Sequence, residues 1–218
     1  MRRYLSHIIM LAAVAAILLA VPQQLAAQPD EDIYDLSLDE NIATPQIKNG
    51  KSARLIREYQ ASMIKAFNNY DVAETRDGEV IVVTLPASTL FDANDTVLTS
   101  LGQARLKPFL SMLKNPGFYK MLLVMHSDNT GSEAYTLNLT TARVNCVFDW
   151  FMENGSVDYV VPYALGDTDP LVDNNSMENR KANRRLEIYL IPEYFMLQQA
   201  KKGKVHHGIM NKEKGKNQ

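Results

Sequence analysis

The chain has 218 residues, 46% of them hydrophobic, and a formal net charge of −2 at pH 7. That length holds one domain of ordinary size with flanking segments, and the near-neutral total gives no electrostatic support for nucleic-acid binding. Cys146 is the single cysteine, which excludes an intrachain disulfide, and no CxxC or Cys/His cluster suggests a structural metal.

Residues 1–27 read as an export signal or an uncleaved anchor. Arg2 and Arg3 precede an apolar run from Ile8 to Val21, and Ala26-Ala27 follow it. The run is shorter than the roughly 20 residues a spanning helix needs, and no cysteine follows it to carry a lipid. Residues 28–50 hold six acids against Lys48 alone and read as an acidic linker. Residues 51–71 read as an amphipathic helix capped by Ser52, with Leu55, Ile56, Tyr59, Met63, Ala66 and Phe67 on one face. Residues 193–218 carry six lysines against Glu193 and Glu213, and the expectation is a basic, mobile tail.

Between these flanks lies a domain over residues 72–192. Glu79–Leu85 is a β-branched strand stopped by Pro86. A helix is predicted from Thr96 to Lys114, capped by Asp95 and interrupted by Pro108. Tyr119–Ser127 is a second strand, and Ser132–Asn154 a long helix with Gly155 at its C′ position. Val157–Tyr163 is a third strand. Asp167–Asn183 is turn-rich and then helical, and Arg184–Ile191 is a last strand closed by Pro192. Strands alternating with helices predict an α/β fold with helices packed on one sheet.

Residues 121–143 carry the chemistry. The apolar run Met121 to Met125 ends at Asp128, Asn129-Thr130-Gly131 makes a turn, and Arg143 lies about three helical turns on. On spacing alone Asp128 either caps that turn or receives a ligand, and Arg143 is either a structural ion-pair partner or a ligand clamp. A carboxylate and a guanidinium facing one crevice suit a small zwitterion, the first taking an ammonium and the second a carboxylate in bidentate fashion.

Several ordered motifs resemble the OmpA-like C-terminal domain, a peptidoglycan-binding module of bacterial envelopes. They are Phe91-Asp92, Ser127-Asp128-Asn129-Thr130-Gly131, Tyr135, Leu139-Thr140-Thr141-Ala142-Arg143, Gly166 to Pro170, and Asn175 through Arg180 and Asn183-Arg184-Arg185 to Glu187. The resemblance covers residues 78–192. It implies a βαβαβ-type sandwich with a mixed sheet, here preceded by the amphipathic helix. It also implies that Asp128 takes the ammonium of a diaminopimelate side chain and that Arg143 clamps its carboxylate. Phe91 and Asp92 would form the pocket rim, with Leu139 and Ala142 as its floor. Thr136 stands where the family commonly has asparagine, and Arg180 is a candidate ligand contact within a basic cluster that otherwise braces loops. Met125 replaces a glycine beside the site.

The implied function is non-covalent peptidoglycan binding through a diaminopimelate-containing stem peptide. It would anchor an envelope component in the periplasm, in association with the outer membrane. The alternative keeps the fold as a protein–protein interaction module with a degenerate pocket. No cofactor, metal ligand set or nucleophile–base motif is expected, so the chain is not expected to be an enzyme. His126 reads as a satisfied, partly buried histidine. An envelope-protein partner and homodimerisation are left open.

Overall fold

The computed structural model describes residues 32–47, 50–115 and 117–205. The expected export signal, the start of the acidic linker and the end of the basic tail lie outside them. The elements run α1 (Leu38–Ala43), α2 (Lys51–Ala66), β1 (Asp71–Thr75), β2 (Val80–Pro86), α3 (Ser100–Leu106), α4 (Leu110–Leu113), β3 (Tyr119–His126), α5 (Glu133–Asn154), β4 (Val160–Gly166), α6 (Met177–Asn183), β5 (Arg185–Pro192) and α7 (Tyr194–Lys201). The strands form one mixed sheet in the order β1-β2-β5-β3-β4. Only β3 and β4 are parallel, joined by the crossover helix α5 as such pairs require.

Side-chain alternation gives each sheet face its own core. One face sets Ile81, Val83, Leu85, Met121, Leu123, Leu186 and Ile188 against Ile56 and Met63 of α2, Phe67 just after it, and Val144, Val147 and Phe151 of α5. The other carries Val80, Leu122, Val124, Val161 and Ile191 beneath Ile33, Leu38 and Ile42. The mixed sheet and packed helices agree with the predicted class.

Several local expectations are corrected. Helix α2 is capped by Gly50 rather than Ser52. Thr99, not Asp95, caps α3, its hydroxyl accepting from Gly102 N at 3.0 Å. The Asp95 carboxylate instead accepts from Thr96 N and Val97 N, which closes a turn before the helix begins. Pro108 does interrupt the segment, leaving a 3-10 turn at Lys107–Phe109 between α3 and α4. Strand β4 begins at Val160 because a turn from Val157 to Val160 precedes it. Gly155 has an extended backbone, φ −170°, not a left-handed one. Strand β1 was not anticipated.

The stretch read as an acidic linker contains a strap over the second sheet face. Its acids Asp32, Asp35, Asp39 and Glu40 are exposed while Ile33, Asn41 and Ile47 are buried. Asn41 pins it, donating to Ile33 O and Tyr163 Oη, both at 2.6 Å, and accepting from Lys120 Nζ at 2.8 Å. Arg76 donates to Ile42 O and Pro45 O. Part of the segment read as a mobile tail is also helical: α7 is capped by Glu193, packs on α2, and buries Met196 and Ala200.

Lys120 is buried to 1% exposure. Burial pushes its ammonium down to about 8, with Glu193 opposing this and Arg76 adding to it. Because the folded value lies below the unfolded one, the unfolded chain holds more protons between them, so stability rises with pH across that window. Unfolding by urea should show a gain of about 2 kcal/mol from about pH 7.5 to about 9.5. The gain should disappear in Lys120→Met; an equal slope in that variant would refute the assignment.

Candidate functional site

Strand β3 delivers Asp128 at its carboxyl end, with the carboxylate buried to 2% exposure. One oxygen accepts from Thr130 N at 2.8 Å, closing the turn that leads to α5. The other is ion-paired with Arg184 Nη1. Burial pushes this carboxyl up, but the hydrogen bonds from Thr130 and Arg184 and the Arg184 charge outweigh it, so the net shift is downward. Asp128 is therefore an anion throughout the neutral range.

Helix α5 starts at an N-cap, Ser132 Oγ accepting from Tyr135 N at 3.2 Å. It carries Arg143 to the loop that follows β2. There Nε donates to Asp95 O at 2.8 Å and Nη2 to Asp92 O at 3.3 Å, with the guanidinium 5.0 Å from the Phe91 ring centroid. Burial pulls the Arg143 pKa down; Tyr135 and Asp95 oppose that and Arg184 reinforces it. Among the described residues no carboxylate forms a salt bridge with it; its contacts are two carbonyls and a ring face. A guanidinium so fixed is pre-oriented for an incoming carboxylate.

Asp128 and Arg143 do not bond each other. They line one cavity of about 640 Å³ together with Phe91, Asp92, Tyr135 and Arg184. Two carboxylates and two guanidiniums thus face one space, a balance complementary to a dipolar ligand rather than to a simple ion. Leu139 also lines it.

Three predicted residues are not brought to the cavity. Ala142 is exposed, because its position one residue before Arg143 turns it about 100° around the helix. Thr136 is buried, its hydroxyl 2.8 Å from Asp167 Oδ1 and 3.0 Å from Glu133 O. It abuts Gly166, whose left-handed backbone (φ +56°) brings the end of β4 against α5. Arg180 donates to Asn174 O at 3.0 Å and braces the loop before α6. Asn183 does the same through Val172 and Asn174.

Arg184, Tyr135 and Thr130 are cavity residues that sequence reasoning did not place among the ligand contacts. Strand β5 runs antiparallel to β3 with Leu186 opposite Met125, so the residues just before β5 fall beside the residues just after β3. That register sets Arg184 against Asp128, and only the strand pairing reveals it. Behind the site, His126 is buried, with Nε2 3.5 Å from Glu187 Oε2 and Nδ1 3.9 Å from Asp169 Oδ2. Burial pushes the Glu187 carboxyl up, but His126, Arg185 and Tyr189 hold it down at about 2. No group of three or more metal-ligating side chains occurs among the described residues, and no described helix is long and apolar enough to cross a membrane.

Residues 90–184 match the family model for the OmpA family. YiaD of Escherichia coli K12 is 26% identical over 122 residues, 56% of each chain. The peptidoglycan-binding protein ArfA of Mycobacterium tuberculosis is 36% identical over 64 residues, 29% of this chain and 20% of that protein. A solved structure, the cell wall anchor of the T6SS from Pseudomonas aeruginosa, superposes with a TM-score of 0.50 at 27% identity, covering 63% of this chain and 97% of that one. The chain spans about half the length of the first curated relatives it matches, 56% and 46%. Residues 90–184, with the crossover helix and the charged cavity at the carboxyl end of β3, thus carry the match to the OmpA family, within a mixed-sheet domain whose strands β1, β2 and β5 lie outside the matched segment.

Proposed function

We propose that this domain binds peptidoglycan non-covalently and anchors a component of the cell envelope to the wall from the periplasmic side. The observation that carries the reading is the open cavity lined at once by a buried carboxylate, Asp128, and a buried guanidinium, Arg143, that are not bonded to each other. Support also comes from the wall-binding relatives, whose names describe a peptidoglycan-binding protein and a cell wall anchor. The ligand we infer is the zwitterionic end of a diaminopimelate side chain, with its ammonium on Asp128 and its carboxylate on Arg143. The tethered partner would be an envelope protein. The rival reading, a closed pocket on a protein-interaction module, finds no support in a cavity of this size between the two charges.

Charge pairs on a small ligand must be desolvated before they form, so affinity per site is modest. A polymeric wall offsets this through avidity. The test is calorimetric titration of the protein with two muropeptides, one carrying diaminopimelate and one carrying lysine in its place. Lysine keeps the ammonium and lacks the carboxylate. Diaminopimelate should bind about tenfold more tightly or better, the scale of one lost charge-assisted clamp. Equal affinities would remove Arg143 from the proposed contact, and absence of binding to both would overturn the wall-binding reading.

A further inference from the structure

His126 reads from the sequence as a satisfied histidine, but in the structure it is buried with neither ring nitrogen hydrogen-bonded among the described residues. Nε2 stands 3.5 Å from Glu187 Oε2 and Nδ1 3.9 Å from Asp169 Oδ2, beyond the roughly 2.7–3.2 Å of a formed N–H···O bond. A neutral imidazole carries one N–H and one acceptor nitrogen. Between two carboxylates that acceptor nitrogen faces another acceptor, and burial denies it water. The imidazolium has two N–H groups, one for each carboxylate. The local charge balance favours the same form. Strand β5 brings Glu187, with Arg185 Nε donating to Oε1 at 2.7 Å and Tyr189 Oη to Oε2 at 2.8 Å. The loop after β4 brings Asp169, and β4 itself brings Tyr163, whose hydroxyl is bonded to Leu36 O and Asn41. Two carboxylates thus stand against the single guanidinium of Arg185 in this group, and a proton on His126 completes the balance.

The two carboxylates differ in freedom. Glu187 lies on the central strand of the sheet, its side chain 12% exposed and held by Arg185 and Tyr189. The Asp169 side chain is 66% exposed on the loop of residues 167–176, with Oδ2 3.9 Å from Arg185 Nη2. Asp169 is therefore the partner that can close its gap to His126, and the loop moves with it. That loop reaches the cavity by a short path. Val172 N donates to Asn183 Oδ1 at 3.0 Å, and Asn183 Nδ2 donates to Val172 O at 2.7 Å. Asn183 directly precedes Arg184, which lines the cavity.

We propose that His126 is a proton-operated latch: as imidazolium it donates Nε2–H to Glu187 and Nδ1–H to Asp169, fastening the loop between β4 and α6 to the sheet, and as neutral imidazole it releases Asp169. Closure takes up one proton from solvent. Imidazole is the side chain whose charge changes across the neutral range, so the latch closes as pH falls. The latch stands on the geometry of these side chains, whereas its effect on ligand affinity rests on the wall-binding reading above. A closed latch steadies Asn183, and through it Arg184 beside Asp128, so a muropeptide binds more tightly below neutrality than above it.

The experiment follows the free protein by NMR at about pH 5.5 and about pH 8, as wild type, His126→Gln and Asp169→Asn. Each is then titrated with a diaminopimelate muropeptide by calorimetry at both pH values. In wild type the Val172 amide, corrected for the intrinsic pH dependence of exchange, should be about tenfold better protected at the lower pH, where both His126 ring nitrogens carry protons. Both variants should lose that difference. Asp169→Asn alters an exposed side chain, so its fold is not in question. Wild-type affinity should rise about fivefold from the higher to the lower pH, relative to the change in Asp169→Asn. That variant keeps every cavity residue and so reports titration of the ligand alone. Equal protection at both pH values in wild type, or a pH dependence that survives in Asp169→Asn, overturns the latch. A latch that closes without altering affinity overturns its coupling to the cavity. Failure to bind the muropeptide at either pH overturns the wall-binding reading, while the exchange data still decide the latch.

Discussion

Replacing Arg143 by alanine is expected to lower the affinity for a diaminopimelate muropeptide by about a hundredfold or more. The size follows from what the truncation leaves behind. The ligand carboxylate would still enter a partly desolvated cavity, but without the fixed guanidinium that Asp95 O, Asp92 O and the Phe91 ring hold in place. An anion left unpaired in such a site costs more than the mean worth of its hydrogen bonds. The same truncation frees two backbone carbonyls and uncovers a ring face, so a loss of about 1–3 kcal/mol in folding stability should accompany it. Arg143→Lys separates the two effects. It restores the charge but cannot reproduce the Nε and Nη2 donors at their fixed spacing, so it should regain part of the affinity. Calorimetric titration beside thermal unfolding of both variants reads the two quantities independently. Undiminished binding by a folded Arg143→Ala protein would place the carboxylate clamp elsewhere.

Much of this site was legible in the chain itself, because its two principal charges are tied to local signals. Asp128 ends an apolar run and is followed by turn residues, and Arg143 lies on a long helix with a serine cap. The resemblance then supplied the roles that spacing left open. Arg184 was not legible in the same way. Its place depends on β5 pairing with β3 across more than fifty positions of chain, as the contact with Asp128 at a separation of 56 shows, and no local pattern encodes such a register. Thr136 and Ala142 lie off the cavity for the opposite reason: a motif is linear, whereas helix geometry sends neighbouring positions to different faces.

Outside the site, the missed elements share a physical cause. Strand β1, Asp-Val-Ala-Glu-Thr, is an edge strand whose residues are exposed except for Val72, which is half-buried. It therefore lacks the alternation that marks a half-buried strand. Its existence depends on the turn that Arg76, Asp77 and Gly78 make with positive φ, and on pairing with β2. The strap over residues 33–47 conceals its few apolar contacts among exposed acids. What fixes it is polar: a fully buried Asn41 that joins its backbone to Tyr163 and Lys120. Buried polar groups of this kind are specified by their partners, and those partners come from distant strands.

Gly102→Ala should destabilise the domain by about 2–3 kcal/mol and weaken ligand binding with it. Two effects of opposite sign compete. Alanine is the better helix former by about 1 kcal/mol in a helix interior, and Gly102 lies within α3. Against this, a Cβ at that position would stand 2.5 Å from Leu90 O and 2.9 Å from Leu90 Cα. Both are backbone atoms that cannot swing aside, and Leu90 O already accepts from Thr99 N at 3.0 Å and Thr99 Oγ1 at 3.2 Å. The overlap must be relieved by moving α3 away from the loop, so overpacking exceeds the gain in propensity. The loop concerned carries Phe91, Asp92 and Asp95, the groups that hold Arg143, so the displacement reaches the cavity although Gly102 does not line it. Gly155→Ala is the control. Its Cβ would meet the Leu113 side chain at 3.4 Å and Phe151 O at 3.8 Å, and its extended backbone suits any residue, so its effect should stay within about 1 kcal/mol. Urea unfolding of both variants, with muropeptide titration of each, decides the matter. A Gly102→Ala protein as stable as wild type would mean that α3 does not press on Leu90, and that the wall of the cavity is held by something other than this contact.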